Sequence, residues 1–218
     1  EFNAELSVVS GNIAGDGTLE LALYYNRTRY TVTFDGDGGT LVSGTEEQSV
    51  KYGAAAQAPT YTRAGYTQDG WTEDFDFIDQ NLSVHPVWVA NTDTPYKVIY
   101  YFENIEDEDY TIDELLTELL QGTTDTEASI VDITEFGHFE FNAELSVVSG
   151  NIAGDGTLVL RLYYKRVTHT VTFSANGGTK ISGSEEVTVK HGGTAVAPSY
   201  TRAGYTQNGW LVDISEVF

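Results

Sequence analysis

The chain is 218 residues long, with 33 Asp and Glu against 11 Lys and Arg and a formal net charge of −22. That charge repels phosphates, so it argues against nucleic acid and anionic lipid surfaces as partners and favours solubility, cations or a basic partner. The absence of cysteine excludes a disulfide framework, a thiolate metal site and a cysteine nucleophile, and no apolar run approaches the roughly 18 to 20 residues of a membrane helix.

Gly15-Asp16-Gly17 reads as a hairpin turn, since Asp-Gly tolerates positive φ. Beyond it, Leu19, Leu21 and Leu23 stand at every second position, the period of a strand with one buried and one wet face. Tyr30-Thr31-Val32-Thr33-Phe34 alternates in the same way, and Leu21, Leu23, Val32 and Phe34 are all expected to point into a core. Asp37-Gly38-Gly39 suits left-handed backbone. Pro59 opens an irregular stretch that lasts to Gly70-Trp71, and Asn91-Thr92-Asp93-Thr94-Pro95 reads as a short stiff linker. Over Asp109 to Gln121 the leucines at Leu115, Leu116, Leu119 and Leu120 have helical spacing, with acids toward the N-terminal end and Gly122 as a stop, which predicts a helix. A strand through this region stays open, because Thr123 to Ile130 is rich in threonine.

The strongest signal is self-similarity. Glu1 to Asp79 realigns without a gap on Glu140 to Phe218, at a constant offset of 139, with about 52 of 79 positions identical. Glu1 to Leu19 recurs unchanged as Glu140 to Leu158. Between Leu19 and Asn26 the alternate leucines are kept, while Glu20→Val159, Ala22→Arg161 and Asn26→Lys165 change on the intervening positions, as a two-faced strand requires. The period holds two unlike units, which predicts four segments: part of a unit A at 1–28, a unit B at 29–91, a whole unit A at 96–166 and a truncated unit B at 168–218. An active site is rarely duplicated in this way, whereas a tandem array on a surface protein commonly is.

The runs Tyr30-Thr31-Val32-Thr33-Phe34, Asp37-Gly38-Gly39-Thr40, Val50-Lys51-Tyr52-Gly53, Ala58-Pro59, Arg63-Ala64-Gly65-Tyr66 and Gly70-Trp71 resemble the Listeria–Bacteroides repeat, the B-repeat of internalin-like surface proteins. The pattern prefers asparagine at Asp37, as at Asn176, and tyrosine at His191, as at Tyr52. Unit A, through Tyr96 to Phe102, Val148 to Gly156 and Leu160 to Tyr164, resembles MucBP-like repeats; the acidic stretch Glu103 to Leu120 departs from them. The resemblance implies a mainly β (α+β) chain of tandem β-grasp, ubiquitin-like modules in an elongated array. It also implies an extracellular place on a bacterial cell surface, with leader and wall or envelope anchor expected outside these residues.

Each candidate site has a plainer reading beside it. Asp35-Gly36-Asp37 offers two carboxylates to calcium, but Ser174 and Asn176 stand there in the second copy, so a turn is expected and no cofactor is assigned. The acidic runs Glu73 to Asp79 and Glu106 to Asp109 are expected to be solvated. Tyr61, Tyr66 and Trp71, with Tyr200, Tyr205 and Trp210, are of the type that stacks on sugars, yet small β-modules must bury large aromatics, so the tryptophans are expected in cores. Tyr24, Tyr163, Tyr61 and Tyr200 remain the candidate ligand contacts. His85, His138, His169 and His191 show no zinc spacing, and no Gly-x-Ser-x-Gly elbow occurs, so no catalytic residue is named and no enzyme is expected. Lys51 and Lys190 are read as exposed strand lysines; a lysine–asparagine isopeptide bond would instead need a buried neutral amine beside an acid and an amide.

The expected role is a monomeric, non-catalytic stalk that holds an adhesive domain away from the envelope. The alternative is an adhesin whose repeats bind host glycan, mucin or a surface protein weakly and with avidity.

Overall fold

The computed structural model describes residues 1–211; residues 212–218, the end of the unit predicted at 168–218, lie outside them. The chain divides into two compact units, Glu1–Asn91 and Thr92–Phe218. Among the described residues it is all-β, in several small sheets with no closed barrel and no helix. No helix of the described residues is therefore long and apolar enough to cross a membrane.

The first unit carries β1 (Arg29–Phe34), β2 (Thr40–Ser43), β3 (Glu47–Lys51), β4 (Thr60–Thr62), β5 (Tyr66–Trp71), β6 (Leu82–Val84) and β7 (Pro86–Ala90). β1 lies between β3, antiparallel, and β6, parallel. The alternation in β1 has the predicted consequence: Val32 and Phe34 are buried, with Thr31 and Thr33 exposed. They join Val50, Ala56, Tyr61, Ile78 and Val84 in one core. Phe34 meets Trp71 and Phe75 edge-on, each at 5.3 Å between ring centroids. Each such side chain contributes about 1.5 to 3 kcal/mol by leaving water. Asp37 turns the chain after β1 with φ of 47°, and Asn176 does the same in the second copy at 45°.

The second unit carries β8 (Thr94–Glu103), β9 (Tyr110–Ile112), β10 (Glu118–Gly122), β11 (Glu127–Ser129), β12 (Phe139–Phe141), β13 (Ser149–Asn151), β14 (Val159–Arg166), β15 (Thr168–Thr172), β16 (Thr179–Ser182), β17 (Glu186–Lys190) and β18 (Ser199–Thr201). β8 and β14 run parallel at the centre of the order β10-β8-β14-β12. Val98, Tyr100, Leu160, Leu162, Tyr164, Ile152 and Ala128 form the core beneath them.

Three expectations are corrected. The helix predicted over Asp109–Gln121 is two short strands and a turn, so the α part of the α+β class is not present among the described residues. The Asp113 carboxylate accepts from the backbone N–H of Leu115 and Leu116 and fixes the turn, after which Glu118–Gly122 pairs with β8. Gly122 is the last residue of that strand rather than a helix stop, and an added Cβ there would press on Ile152 Cδ1. The linker is shorter than predicted, since Thr94 and Pro95 begin β8 and Thr94 is buried with its hydroxyl 2.7 Å from that of Thr124.

The third correction concerns the first copy of the leucine strand. Leu21 and Leu23 are 53% and 58% exposed, whereas their counterparts Leu160 and Leu162 are fully buried. Yet the backbone is bonded alike in both copies. Asn3 N–H donates to Tyr24 O at 2.9 Å and Asn142 N–H to Tyr163 O at 2.8 Å. The bridge Val8↔Ala22 recurs as Val147↔Arg161, and Phe2↔Tyr25 recurs within the β12–β14 pair as Phe141↔Tyr164. The Ser7 hydroxyl accepts from Tyr24 N–H as that of Ser146 does from Tyr163 N–H. What differs is the cover, because nothing in Glu1–Asn91 takes the place of β8.

Candidate functional site

The most elaborate polar cluster among the described residues is centred on Lys190, in the second unit. Strand register assembles it. β8 and β14 are parallel with Phe102 opposite Tyr164, so Glu103 emerges beside Arg166 at the end of the pair. β15 follows β14 at once, and its pairing with β17 puts Thr168 opposite Lys190.

Lys190 Nζ lies 3.0 Å from Glu103 Oε1 and 3.3 Å from Glu108 Oε1. It also donates to the backbone carbonyls of Asn104, at 3.2 Å, and Asp107. The other Glu103 oxygen accepts from Arg166 N–H at 2.7 Å, and the Arg166 guanidinium returns to the Glu103 carbonyl at 2.8 Å and lies over Phe139. Burial by itself would raise the Glu103 pKa, but the Lys190 ammonium and the Arg166 N–H outweigh it and hold the carboxyl below its usual range. Burial would likewise lower Lys190; Glu103 and Glu108 outweigh it and raise it.

Lys190 is thus not the exposed strand lysine expected: its side chain is 15% exposed, and that of Glu103 is 2%. The acidic run Glu106–Asp109 is exposed, as expected, and Glu108 and the Asp107 carbonyl reach this amine from the solvent side. The surroundings favour an ammonium, the opposite of the neutral amine that isopeptide condensation requires, and the contact to Asn104 is to its backbone. Lys51, the first-copy counterpart, is exposed and makes no ion pair among the described residues.

Beside the ion pair stand three histidines that sequence spacing did not join. His138 and His191 stack with centroids 3.8 Å apart and planes 4° apart, and His169 Nε2 is 3.2 Å from His191 Nδ1. Burial, then the positive charges that His138, His169 and Arg166 can carry, pushes His191 below its ordinary value. The signal was latent in the β15–β17 pairing, which brings His169 and His191 to the same strand ends. His85 lies apart in the first unit, near Ser83. No group of three or more His, Asp or Glu is disposed to hold a metal among the described residues.

The candidate tyrosines fall in unlike places. Tyr61 is in the first core, its hydroxyl donating to Glu46 at 3.1 Å and its pKa pushed up to about 12 by burial and that carboxylate. Tyr200 is partly buried and donates to Glu185 at 3.1 Å. Tyr163 stacks on Tyr101, centroids 4.4 Å apart, with Tyr110 at its edge. Tyr24, in the first copy, is exposed. Trp71 packs partly buried on the first core as expected. At Asp35, the carboxylate accepts from Asp37 N–H at 3.0 Å, the bond of a tight turn.

A family model described as the Listeria-Bacteroides repeat domain matches residues 30–95 and 169–216, more than half of the chain. No curated protein matches the chain, and no solved structure matches it.

Proposed function

The chain belongs to the Listeria-Bacteroides repeat family, which is typical of bacterial surface proteins, and from that premise we propose that it is a non-catalytic stalk that carries an adhesive domain away from an envelope. In this reading B-repeat modules at 29–91 and 168–218 alternate with MucBP-like modules at 1–28 and 96–166, in an elongated, monomeric array anchored through other regions of the protein. Parallel pairing of β1 with β6 and of β8 with β14 supports a β-grasp-like reading of each module.

The observation that carries the stalk is which positions the B copies keep. Val32, Phe34, Val50 and Tyr61 fill the first core and recur as Val171, Phe173, Val189 and Tyr200. At exposed positions the copies are mixed: Leu41 becomes Lys180, Thr45 becomes Ser184 and Gln57 becomes Val196, while Thr31, Thr33, Thr40 and Ser43 are kept. A spacer needs its cores and its joints, and the Lys190–Glu103 clasp is a joint of this kind, tying the predicted modules at 96–166 and 168–218. Self-repulsion at a charge of −22 keeps such an array from collapsing on itself.

The adhesin reading draws on a different observation, the unchanged Glu1–Leu19 stretch with its exposed polar residues, and would use Tyr24 as a contact. Two measurements decide. Small-angle scattering on the chain and on a version lengthened by one 139-residue period should show the maximum dimension growing by a fixed increment; an unchanged dimension removes the stalk. A glycan array should give no hit, and firm binding of a defined sugar would replace the pure spacer with the adhesin.

A further inference from the structure

We propose that His169 and His191 form a two-imidazole site for a divalent transition ion of the zinc type, at one end of the β15–β17 pair, with water in the remaining positions of the ion. The site is independent of the stalk reading.

The strand register sets the donors. His169 stands opposite Val189, so His191, two residues further on, lies diagonal to it across the pair. His191 N–H donates to Val167 O at 2.8 Å, and Val167 N–H donates to His138 O at 3.1 Å, so the backbone of one residue anchors two of the histidines. The Arg166 guanidinium donates to His191 O at 3.3 Å. The facing nitrogens, His169 Nε2 and His191 Nδ1, then stand 3.2 Å apart. Two zinc–nitrogen bonds of about 2.0 to 2.1 Å, spread at the tetrahedral angle, put their nitrogens about 3.3 to 3.4 Å apart. The span an ion requires is therefore nearly present before it arrives. Imidazole nitrogen suits zinc, copper and nickel, whereas calcium and magnesium take oxygen. Binding needs both facing nitrogens bare, with the ring protons on His169 Nδ1 and His191 Nε2. The hydrogen bond between the rings is then replaced by two metal–nitrogen bonds.

His138 has a different part. Its ring lies parallel to that of His191, with planes 4° apart and centroids 3.8 Å apart. An imidazole lone pair lies in the ring plane, so an ion in the plane of His191 is out of line with the nitrogens of His138. Three histidines thus gather where two can ligate one ion, and His138 is a positioning residue that holds the His191 ring. The neighbouring ammonium of Lys190 is offset by Glu103 and Glu108, and the net charge of −22 draws cations to the chain as a whole.

The first copy supplies the control. Tyr30 and Tyr52 stand at the two positions there. Tyr30 is opposite Val50, and Tyr52 N–H donates to Thr28 O at 2.8 Å, so the frame is the same and only the donors differ.

The test titrates Zn2+ into the 218-residue chain near neutral pH, with Ca2+ in excess to occupy surface carboxylates. NMR follows the histidine ring signals and calorimetry the binding. A single ion should bind saturably, shifting the rings of His169 and His191 and sparing His85 in the first unit. Zinc should also raise the melting temperature of Thr92–Phe218, because it binds the folded state. His169→Tyr and His191→Tyr should each lose both effects, whereas His138→Phe, which keeps a flat ring without nitrogens, should still bind the ion. The ring signals of the unsubstituted chain read the site even where a variant fails to fold. Zinc displaced by calcium, or bound without moving the two rings, is an adventitious ion on the acidic surface only and overturns the site. Binding that survives both tyrosine substitutions overturns it too, and loss of binding in a folded His138→Phe chain overturns the two-imidazole geometry.

Discussion

Glu1–Arg27 and Glu140–Arg166 are nearly one sequence in two environments. In the second, the strand Val159–Arg166 is hydrogen-bonded on both sides and its leucines are dry. In the first, the same turn, hydroxyl bond and bridges persist, but the leucines meet water. The local sequence thus decides the backbone path, and a strand from about 60 residues earlier decides burial; the Arg166–Glu103 contact spans 63 residues. The comparison extends to the lysines, since Lys190 is clasped by Glu103 and Lys51 is not.

The hardest blow to the comparison would be equal cost in both copies. Leu162→Ala is expected to destabilise Thr92–Phe218 by about 3 to 5 kcal/mol, as fully buried leucines do, whereas Leu23→Ala should stay within about 0.5 kcal/mol. Urea unfolding followed by exchange within each unit reads the two separately. Lys190→Ala should cost about 3 kcal/mol by stranding the Glu103 carboxylate, against no more than about 0.5 kcal/mol for Lys51→Ala; similar values at the two lysines would dissolve the distinction between the joints.

A smaller effect is expected from Thr124→Val. It leaves the buried Thr94 hydroxyl without its partner, at a cost of about 1 to 2 kcal/mol to the second unit and nothing to the first.

The least effect in size, and the most selective, is on pH. The folded state holds His191 below its ordinary value of 6.5, so the unfolded chain binds protons first, and stability of Thr92–Phe218 should fall as pH drops from that value. Glu103, also held below its ordinary 4.5, adds a second loss only at more acid pH. His169→Tyr with His191→Tyr, the residues of the first copy, should flatten the upper phase in a melting-temperature series and leave the lower one. A phase that survives the double substitution would remove the histidines from the account.

How much of this was legible divides along the same line. Val32 and Phe34 were readable because a period of two and the bonding of β1 concern neighbours, and the turns at Asp37 and Asn176 because positive φ is a local cost. The leucines Leu115 to Leu120 misled because helical spacing also arises in a turn followed by a strand; the Asp113 carboxylate and the β10–β8 register settled the outcome. The exposure of Leu21 and Leu23 was hidden because their partners are set by a distant strand. The Lys190 cluster was hidden for the same reason: its amine reaches a carbonyl 86 residues away, and the three histidines gather only once β15 and β17 are in register.

The parallel pairing of β8 with β14 has a mechanical consequence. The chain enters this sheet at Thr94 and leaves it at Arg166, at opposite ends of two adjacent strands running the same way. Tension applied through those ends loads the row of inter-strand hydrogen bonds in shear. Rupture then requires many to give way together, where an antiparallel pair pulled from one end would open like a zip.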